Sequence, residues 1–279
     1  MIRKYIQTIK PGIIFGNIIA ALGGFLLGSQ GNYSFWLFIA IIFGTAMVIA
    51  SACIINNYFD RDIDGFMART KDRYFVHHLP SILWVSFYAL LIGLSGFFIL
   101  YFFANPLAAC LALAGHAIYT IIYTCWLKRK SPISTIAGSF SGALPPVIGY
   151  CSVTNEWDSA ASLLFLLFCC WQMPHHYAIS IFRLDDYRAA NIPVLPAVIG
   201  VPATFRRCVL YIAAFLIISS CLFWAGFTSF YYLVITVAIN GWWLFTALQP
   251  NDATKKARKL FMQSILVITA HCLLMGLPK

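Results

Sequence analysis

Nine apolar runs, each close to the length of a membrane-spanning helix, leave this chain few ways to fold. They lie near residues 12–29, 35–57, 81–103, 106–127, 133–153, 159–181, 208–227, 230–248 and 260–277. A helix of about 20 predominantly apolar residues crosses a hydrocarbon core of about 30 Å. In lipid every backbone N–H and C=O must find its partner within the protein, which makes such runs helices. Composition agrees: 61% of residues are hydrophobic and 10% charged, against about 25% charged in a soluble domain. The runs consume most of the 279 residues, and the segments between them are too short for a separate soluble module. The expected fold is all-α: a polytopic membrane protein of nine transmembrane helices, with residues 1–279 forming one domain.

Charge placement orients the chain. With the N-terminus in the cytoplasm, 18 of the 19 Lys and Arg residues fall on the cytoplasmic side and only Lys279 falls outside. The positive-inside rule expects such a bias, and one missed span would scramble it. The net charge of +10 is then largely topological, facing anionic headgroups, although some of these cations could meet an anionic substrate. The positives are scattered over five short segments with no basic module, which speaks against nucleic acid as a partner. Nine cysteines lie mostly inside apolar runs without a CxxC or Cys/His zinc pattern, so they read as small core residues. The first run follows a short basic segment without a clear cleavage site and reads as a retained span, favouring a bacterial inner (plasma) membrane with a cytoplasmic N-terminus and an outside C-terminus.

The second run ends in Asn56-Asn57-Tyr58-Phe59-Asp60-Arg61-Asp62-Ile63-Asp64. Charge near hydrocarbon costs about 2.5–3.5 kcal/mol per residue on insertion scales, so it usually has a purpose. If helical, Asn56, Asp60 and Asp64 stack at i, i+4 and i+8 on one face. Three oxygen-bearing side chains in line suit a hard cation such as Mg2+, which completes its shell with phosphate or water. Asp62 faces away, as a partner for Arg61 or a solvated group. The competing reading is a solvated acidic loop. Arg69 and Arg73, with Thr70 between them, suit diphosphate oxygens; Lys128 and Arg129 share that reading, and membrane anchoring is the alternative for each. Six of the nine acids lie in the loops 59–80 and about 182–206, which hints at an internal repeat and at a lid over a cavity opening to the cytoplasm. Pro145-Pro146 should break or bend the fifth run near its middle. In the sixth, Trp171-Gln172-Met173-Pro174-His175-His176-Tyr177 is unusually polar for lipid and should face a cavity or the bundle interior. His116 and His271, isolated in apolar runs, read as core residues.

Several stretches together resemble the UbiA superfamily of intramembrane prenyltransferases, specifically its heme-farnesylating branch. They are Lys10-Pro11-Gly12-Ile13 with Asn17; Asn56 to Asp64 followed by Arg69-Thr70 and Arg73; Tyr123-Thr124 with Leu127-Lys128-Arg129; Gly142-Ala143, Pro145-Pro146 and Gly149; Trp171 to His175; and Asp186-Tyr187 with Ala190 to Pro193, Leu195 and Pro196. They extend from residue 10 to about 200, and the combination is more specific than any one stretch. Two departures from the wider superfamily are Asn57 and Phe182, each standing where an Asp is frequent. The resemblance implies Mg2+-assisted transfer of the farnesyl group of farnesyl diphosphate to a vinyl group of protoheme IX (heme B), giving heme O and diphosphate. It implies Asn56, Asp60 and Asp64 as metal and diphosphate ligands and Asp186 as a second acidic contact. Arg69, Arg73, Lys128, Arg129 and Tyr123 are implied as substrate-binding, with His175 for heme contact or proton handling. The active site would face the cytoplasm, with a downstream heme-modifying enzyme or a terminal oxidase assembly as candidate partner.

Two other functions stay open at this point. A prenyltransferase acting on a quinone precursor or another aromatic acceptor would need the same acids. A transporter would place its polar site near the bilayer midplane in broken helices, whereas here the acids gather at one end.

Overall fold

The computed structural model describes residues 6–32, 34–250 and 252–278; Arg3, Lys4 and Lys279, three of the cations used to orient the chain, lie outside them. The described residues form helices joined by turns and loops, without a strand. The long elements are α1 (Pro11–Ser29), α2 (Phe35–Phe59), α5 (Ile82–Phe103), α6 (Pro106–Ala117), α7 (Ser134–Gly142), α8 (Leu144–Thr154), α9 (Ser159–Phe182), α12 (Val201–Trp224), α13 (Phe230–Leu248) and α14 (Ala253–Leu274). Short turns of helix fill the two long loops: α3 (Arg61–Asp64) and α4 (Tyr74–His77) in the first, α10 (Leu184–Ala189) and α11 (Leu195–Ile199) in the second.

Local chemistry starts these helices where polar residues interrupt the apolar runs. Ser34, Ser81, Asn105, Asp158, Ser229 and Asp252 each accept a hydrogen bond from the backbone N–H three residues on, satisfying a donor that the first turn leaves free. Two boundaries differ from the apolar runs. Helix α12 begins at Val201 rather than near 208, because Gly200 takes φ 83° and Pro202 suits the first turn. Helix α14 begins at Ala253 rather than near 260, since the Asp252 cap lets the helix run on through Lys255, Lys256, Arg258 and Lys259. The expected break in the fifth run is present: α7 ends at Gly142, and α8 starts with Pro145 and Pro146 in its first turn.

Among the described residues, eight helices are long and apolar enough to cross a membrane by length and composition, the continuous Pro106–Leu127 and Ser134–Thr154 segments counting once each. The chain is thus a multi-pass membrane protein. The ninth expected span, α9, is 24 residues long but carries Gln172, Pro174, His175 and His176, which lower its hydropathy. It packs against α7, α8, α12 and α14, within the bundle.

The helices close on themselves. Helix α1 packs on α2 and α8, α2 on α5, α9 on α12 and α14, and α14 returns to α1. The α1–α8 contact is close enough that a Cβ at Gly24 would sit 1.8 Å from the Pro146 carbonyl oxygen, and one at Gly149 1.8 Å from that of Ala21. Large side chains such as Trp36, Leu83, Phe102 and Trp224 are exposed, as expected where lipid is the solvent. The last three helices share a buried polar chain: Tyr232 OH lies 2.8 Å from His271 Nδ1, His271 Nε2 3.1 Å from Asn240 Oδ1, and Asn240 Nδ2 donates to Ser219 Oγ at 3.0 Å. His271 is therefore a core residue, and His116 likewise bridges α6 to Ser51 of α2 at 3.1 Å. All nine cysteines are free.

Candidate active site

The three stacked side chains at the end of α2 form the floor of the site. The helix ends at Phe59, yet Asp60 N–H still donates to the Asn56 carbonyl at 2.9 Å and Asp64 N–H to that of Asp60 at 2.8 Å. The i→i+4 phase thus runs on through α3 and aligns Asn56, Asp60 and Asp64. All three are buried, at 1%, 0% and 1% exposure, which removes the solvated-loop reading. Asp62 does face away, but its partner is Arg129: both carboxylate oxygens accept from the guanidinium at 2.7 Å, and that bond holds the Asp62 carboxyl below its ordinary pKa. Arg61 instead stacks over the Tyr58 ring at 4.2 Å and donates to the Tyr58 carbonyl.

Each buried oxygen-bearing side chain meets a cation. Lys128 Nζ donates to Asp60 Oδ2, Arg73 to Asp64 Oδ2 at 2.7 Å, and Lys10 Nζ to Asn56 Oδ1. Burial opposes the charge of Lys128, but Tyr123, Asp60 and Asp64 raise its pKa above the ordinary lysine value. Lys10 goes the other way: burial, with Arg73 and Lys128 nearby, lowers it to about 8. Arg69 is exposed. Arg129, committed to Asp62 and the Phe59 carbonyl, ties the end of α2 to the end of α6 from outside the pocket. One carboxylate oxygen of the cluster, Asp60 Oδ1, is buried without a hydrogen-bond partner.

A wide-turned helix presents the opposite wall. Residues Ile118–Leu127 continue α6 as a π-helix, with Lys128 N–H bonded five residues back to the Tyr123 carbonyl at 2.9 Å. Such turns are rare and frequent at functional sites. This one sets Thr124 Oγ1 to accept from Asn56 Nδ2 at 3.0 Å, stacks Tyr119 on Tyr123 at 5.3 Å, and brings Lys128 Nζ to 5.8 Å from the Tyr123 ring centre.

The second loop covers the first. Asp186 Oδ1 accepts from Ala68 N–H at 3.0 Å, and Ile63 and Met67 pack with Ala190 and Ile192. Asp186 Oδ2 is buried without a hydrogen-bond partner, 3.9 Å from Arg183. In α9, His175 Nδ1 lies 2.7 Å from Ser264 Oγ, with its ring between Trp171 and Phe261. Among the described residues no three of His, Cys, Asp and Glu converge on a single metal position; Asn56, Asp60 and Asp64 bring two carboxylates and one amide.

Known proteins place this arrangement. Residues 17–265 match the model of the UbiA prenyltransferase family. Protoheme IX farnesyltransferase of Yersinia enterocolitica is 49% identical over 99% of this chain and 94% of its own length. The protein of that name from Cronobacter sakazakii is 48% identical over 99% and 95%. This chain belongs to the UbiA prenyltransferase family. It is an intramembrane prenyltransferase, and its fold is found in solved structures of low sequence identity. A digeranylgeranylglyceryl phosphate synthase superposes with a TM-score of 0.79 at 16% identity, covering 99% of this chain and 98% of that one. A UbiA homolog from Archaeoglobus fulgidus, bound to DMAPP and Mg2+, gives 0.71 at 15% identity, covering 98% and 99%.

Three residues of this site were given no role from the sequence. Lys10 reaches Asn56 from a left-handed backbone (φ 53°) just before Pro11; its place beside a proline at the start of a span was the available signal. Thr124 is set by the π-turn, which has no sequence signature. Asn57, one of the two departures, donates to the Thr8 carbonyl at 2.6 Å and anchors the segment leading to Lys10.

Proposed function

We propose that this UbiA-family enzyme transfers the farnesyl group of farnesyl diphosphate to a vinyl carbon of heme B, giving heme O and diphosphate. The observation that carries this reading is the row of buried acids interleaved with Lys10, Arg73 and Lys128, in a chain similar over its full length to protoheme IX farnesyltransferases. Asp60 Oδ1, buried without a hydrogen-bond partner, and Asp186 Oδ2, buried with only Arg183 at 3.9 Å, fit a hard divalent cation. Asn56, Asp60, Asp64 and Asp186 would hold Mg2+, and Mg2+ when bound supplies positive charge to the departing diphosphate.

The chain's own residues do the rest. Lys10, Lys128, Arg73 and the exposed Arg69 bind phosphate oxygens and stabilise the charge that builds on the leaving group. The allylic C–O bond breaks, with its electron pair leaving on diphosphate. The stacked Tyr119 and Tyr123 and the surrounding apolar wall exclude water from the allylic cation. The π electrons of the heme vinyl group form the new C–C bond at farnesyl C1, and water adds to the resulting cation with loss of a proton, leaving a hydroxyethylfarnesyl group. Asp186 and the Ala190–Ile192 contacts close the first loop over the diphosphate. The site faces the cytoplasm of a bacterial inner membrane, with the N-terminus inside and the C-terminus outside; the concentration of cations at the acid-bearing end supports this orientation.

The test is purified protein given labelled farnesyl diphosphate with Mg2+ and either heme B or an aromatic quinone precursor. Label should pass to heme alone, and Asp60→Ala or Asp64→Ala should abolish transfer while leaving the fold intact. Transfer to the aromatic acceptor but not to heme would overturn the acceptor assignment. Full turnover in both variants would remove the metal assignment.

A further inference from the structure

The two consecutive histidines of α9 have different surroundings. His175 is half-buried and clamped between Trp171 and Phe261, at ring separations of 5.0 and 4.9 Å. His176 is exposed, although Gln172, Met173, Pro174, Tyr177 and Ala178 around it on the same helix are all buried. Gln172, one turn earlier on the same face, donates to the Ser139 carbonyl of α7 at 3.1 Å, and the neighbouring Gly138 lies against the Tyr123 ring. His176 thus stands one turn from Gln172 toward the acid-bearing end, on the side that Tyr123 fronts. It lies six residues, about 9 Å of helix rise, before α9 ends at Phe182.

Hydrogen bonding fixes which ring nitrogen is available. His176 Nδ1 lies 2.8 Å from the Gln172 carbonyl oxygen. A carbonyl only accepts, so Nδ1 carries the proton and Nε2 keeps its lone pair. No hydrogen bond to Nε2 is formed among the described residues. This is the form in which imidazole binds metals: one N–H held by a backbone carbonyl, the other nitrogen bare and oriented. His175 has the same tautomer, because Ser264 Oγ donates to the Phe261 carbonyl at 2.6 Å and must accept from His175 Nδ1. Its clamped ring, however, serves to tie α9 to α14.

We propose that His176 Nε2 is an axial ligand to the iron of the porphyrin acceptor and positions it inside the bundle, beyond the diphosphate site. The assignment rests on heme B being the acceptor. The iron belongs to the substrate, and its ligation changes neither oxidation state nor the electron balance of farnesyl transfer.

The experiment is a spectroscopic titration of untagged, full-length protein with ferric and ferrous heme B, without farnesyl diphosphate. A His77→Ala/His78→Ala background removes the exposed loop histidines. The parent should show the Soret band and electron paramagnetic resonance signature of imidazole-ligated heme. His176→Ala should lose that signature and bind heme at least about tenfold more weakly, and free imidazole should restore it, which also shows that the pocket is folded. His176→Gln should behave as His176→Ala, whereas His175→Ala should keep the imidazole signature. An unchanged spectrum in His176→Ala, or loss of the signature only in His175→Ala, overturns the ligand assignment and leaves the proposed reaction standing. A parent that binds no heme but farnesylates another acceptor overturns both.

Discussion

Replacing Lys128 with methionine isolates the charge that holds Asp60. Asp60 is fully buried; its Oδ2 is served by Lys128 and its Oδ1 by nothing. Methionine keeps much of the apolar stem and removes the ammonium, so the carboxylate loses its counter-charge and its donor together. Breaking a buried pair in this way costs about 3–5 kcal/mol, because the remaining charge is uncompensated. Solvent does little to soften the loss, since the Lys128 side chain is 14% exposed and that of Asp60 not at all. Removing both charges, in Lys128→Met with Asp60→Asn, removes both desolvation costs and should bring stability back to within about 1–2 kcal/mol of the parent. At about 2–4 °C per kcal/mol for a protein of comparable size, Lys128→Met should melt about 6–20 °C lower, with most of that recovered in the double variant. A thiol-reactive dye is a convenient reporter, because Cys53, Cys151, Cys208 and Cys272 are free and buried. Mg2+ alone should stabilise Lys128→Met more than the parent. Additive effects of the two substitutions would refute the argument, because the ion pair would then carry no coupling energy.

Other sites give sharper single readouts. Lys10 has a folded-state pKa of about 8 against an ordinary 10.5, so between these values the unfolded chain holds a proton that the folded one has released. Stability should therefore rise with pH across that window, and Lys10→Met should flatten the rise; equal slopes in unfolding measured from pH 7.5 to 10 would refute the assignment. Asp186→Asn keeps an acceptor for Ala68 N–H but removes the charge. If Asp186 also contacts the metal, the loops should stay protected from proteolysis while the Mg2+ requirement increases at least about tenfold; unchanged Mg2+ dependence would leave only the latch. Gly24→Ala puts a Cβ 1.8 Å from the Pro146 carbonyl, and the overpacking should cost about 1–3 kcal/mol, read as a lower melting temperature.

What could be read from the sequence follows the reach of each physical rule. Hydrophobic run length is a local property, and it located the elements because lipid leaves the backbone no other way to pair. It misplaced the starts of α12 and α14, where caps and proline rather than hydropathy set the boundary. Run length also treats α9 like the rest, although its polar residues serve the interior. Helical phase is equally local: Asn56, Asp60 and Asp64 align because i→i+4 bonding persists across the end of α2. Partner choice is not local. Asp62 adjoins Arg61 in sequence but pairs with Arg129, 67 residues away, because Arg61 finds the Tyr58 face first. The role of Thr124 depends on a π-turn that no residue pattern announces.

The interleaving of acids and cations also bears on how such a site exists before substrate arrives. Two buried carboxylates beside an amide oxygen, left without partners, would repel and one would protonate. Here Lys128 and Arg73 neutralise Asp60 and Asp64, and Lys10 occupies Asn56. The resting site therefore contains paired charges at the cost of their desolvation, which is already met when the chain folds. When diphosphate enters with its cation, the exchange needs no new burial of unpaired charge. On the proposed function the acids would turn to the cation, and the ammonium and guanidinium groups would turn to phosphate oxygens. The two substrate charges should then bind together, since either alone would leave half of the side chains without a partner. Free diphosphate without Mg2+, or Mg2+ without diphosphate, should accordingly bind at least about tenfold more weakly than the two combined, a coupling of about 1.4 kcal/mol. Calorimetric titration of each in the absence and presence of the other measures that coupling, and independent binding would show that the acids and cations do not work as one unit.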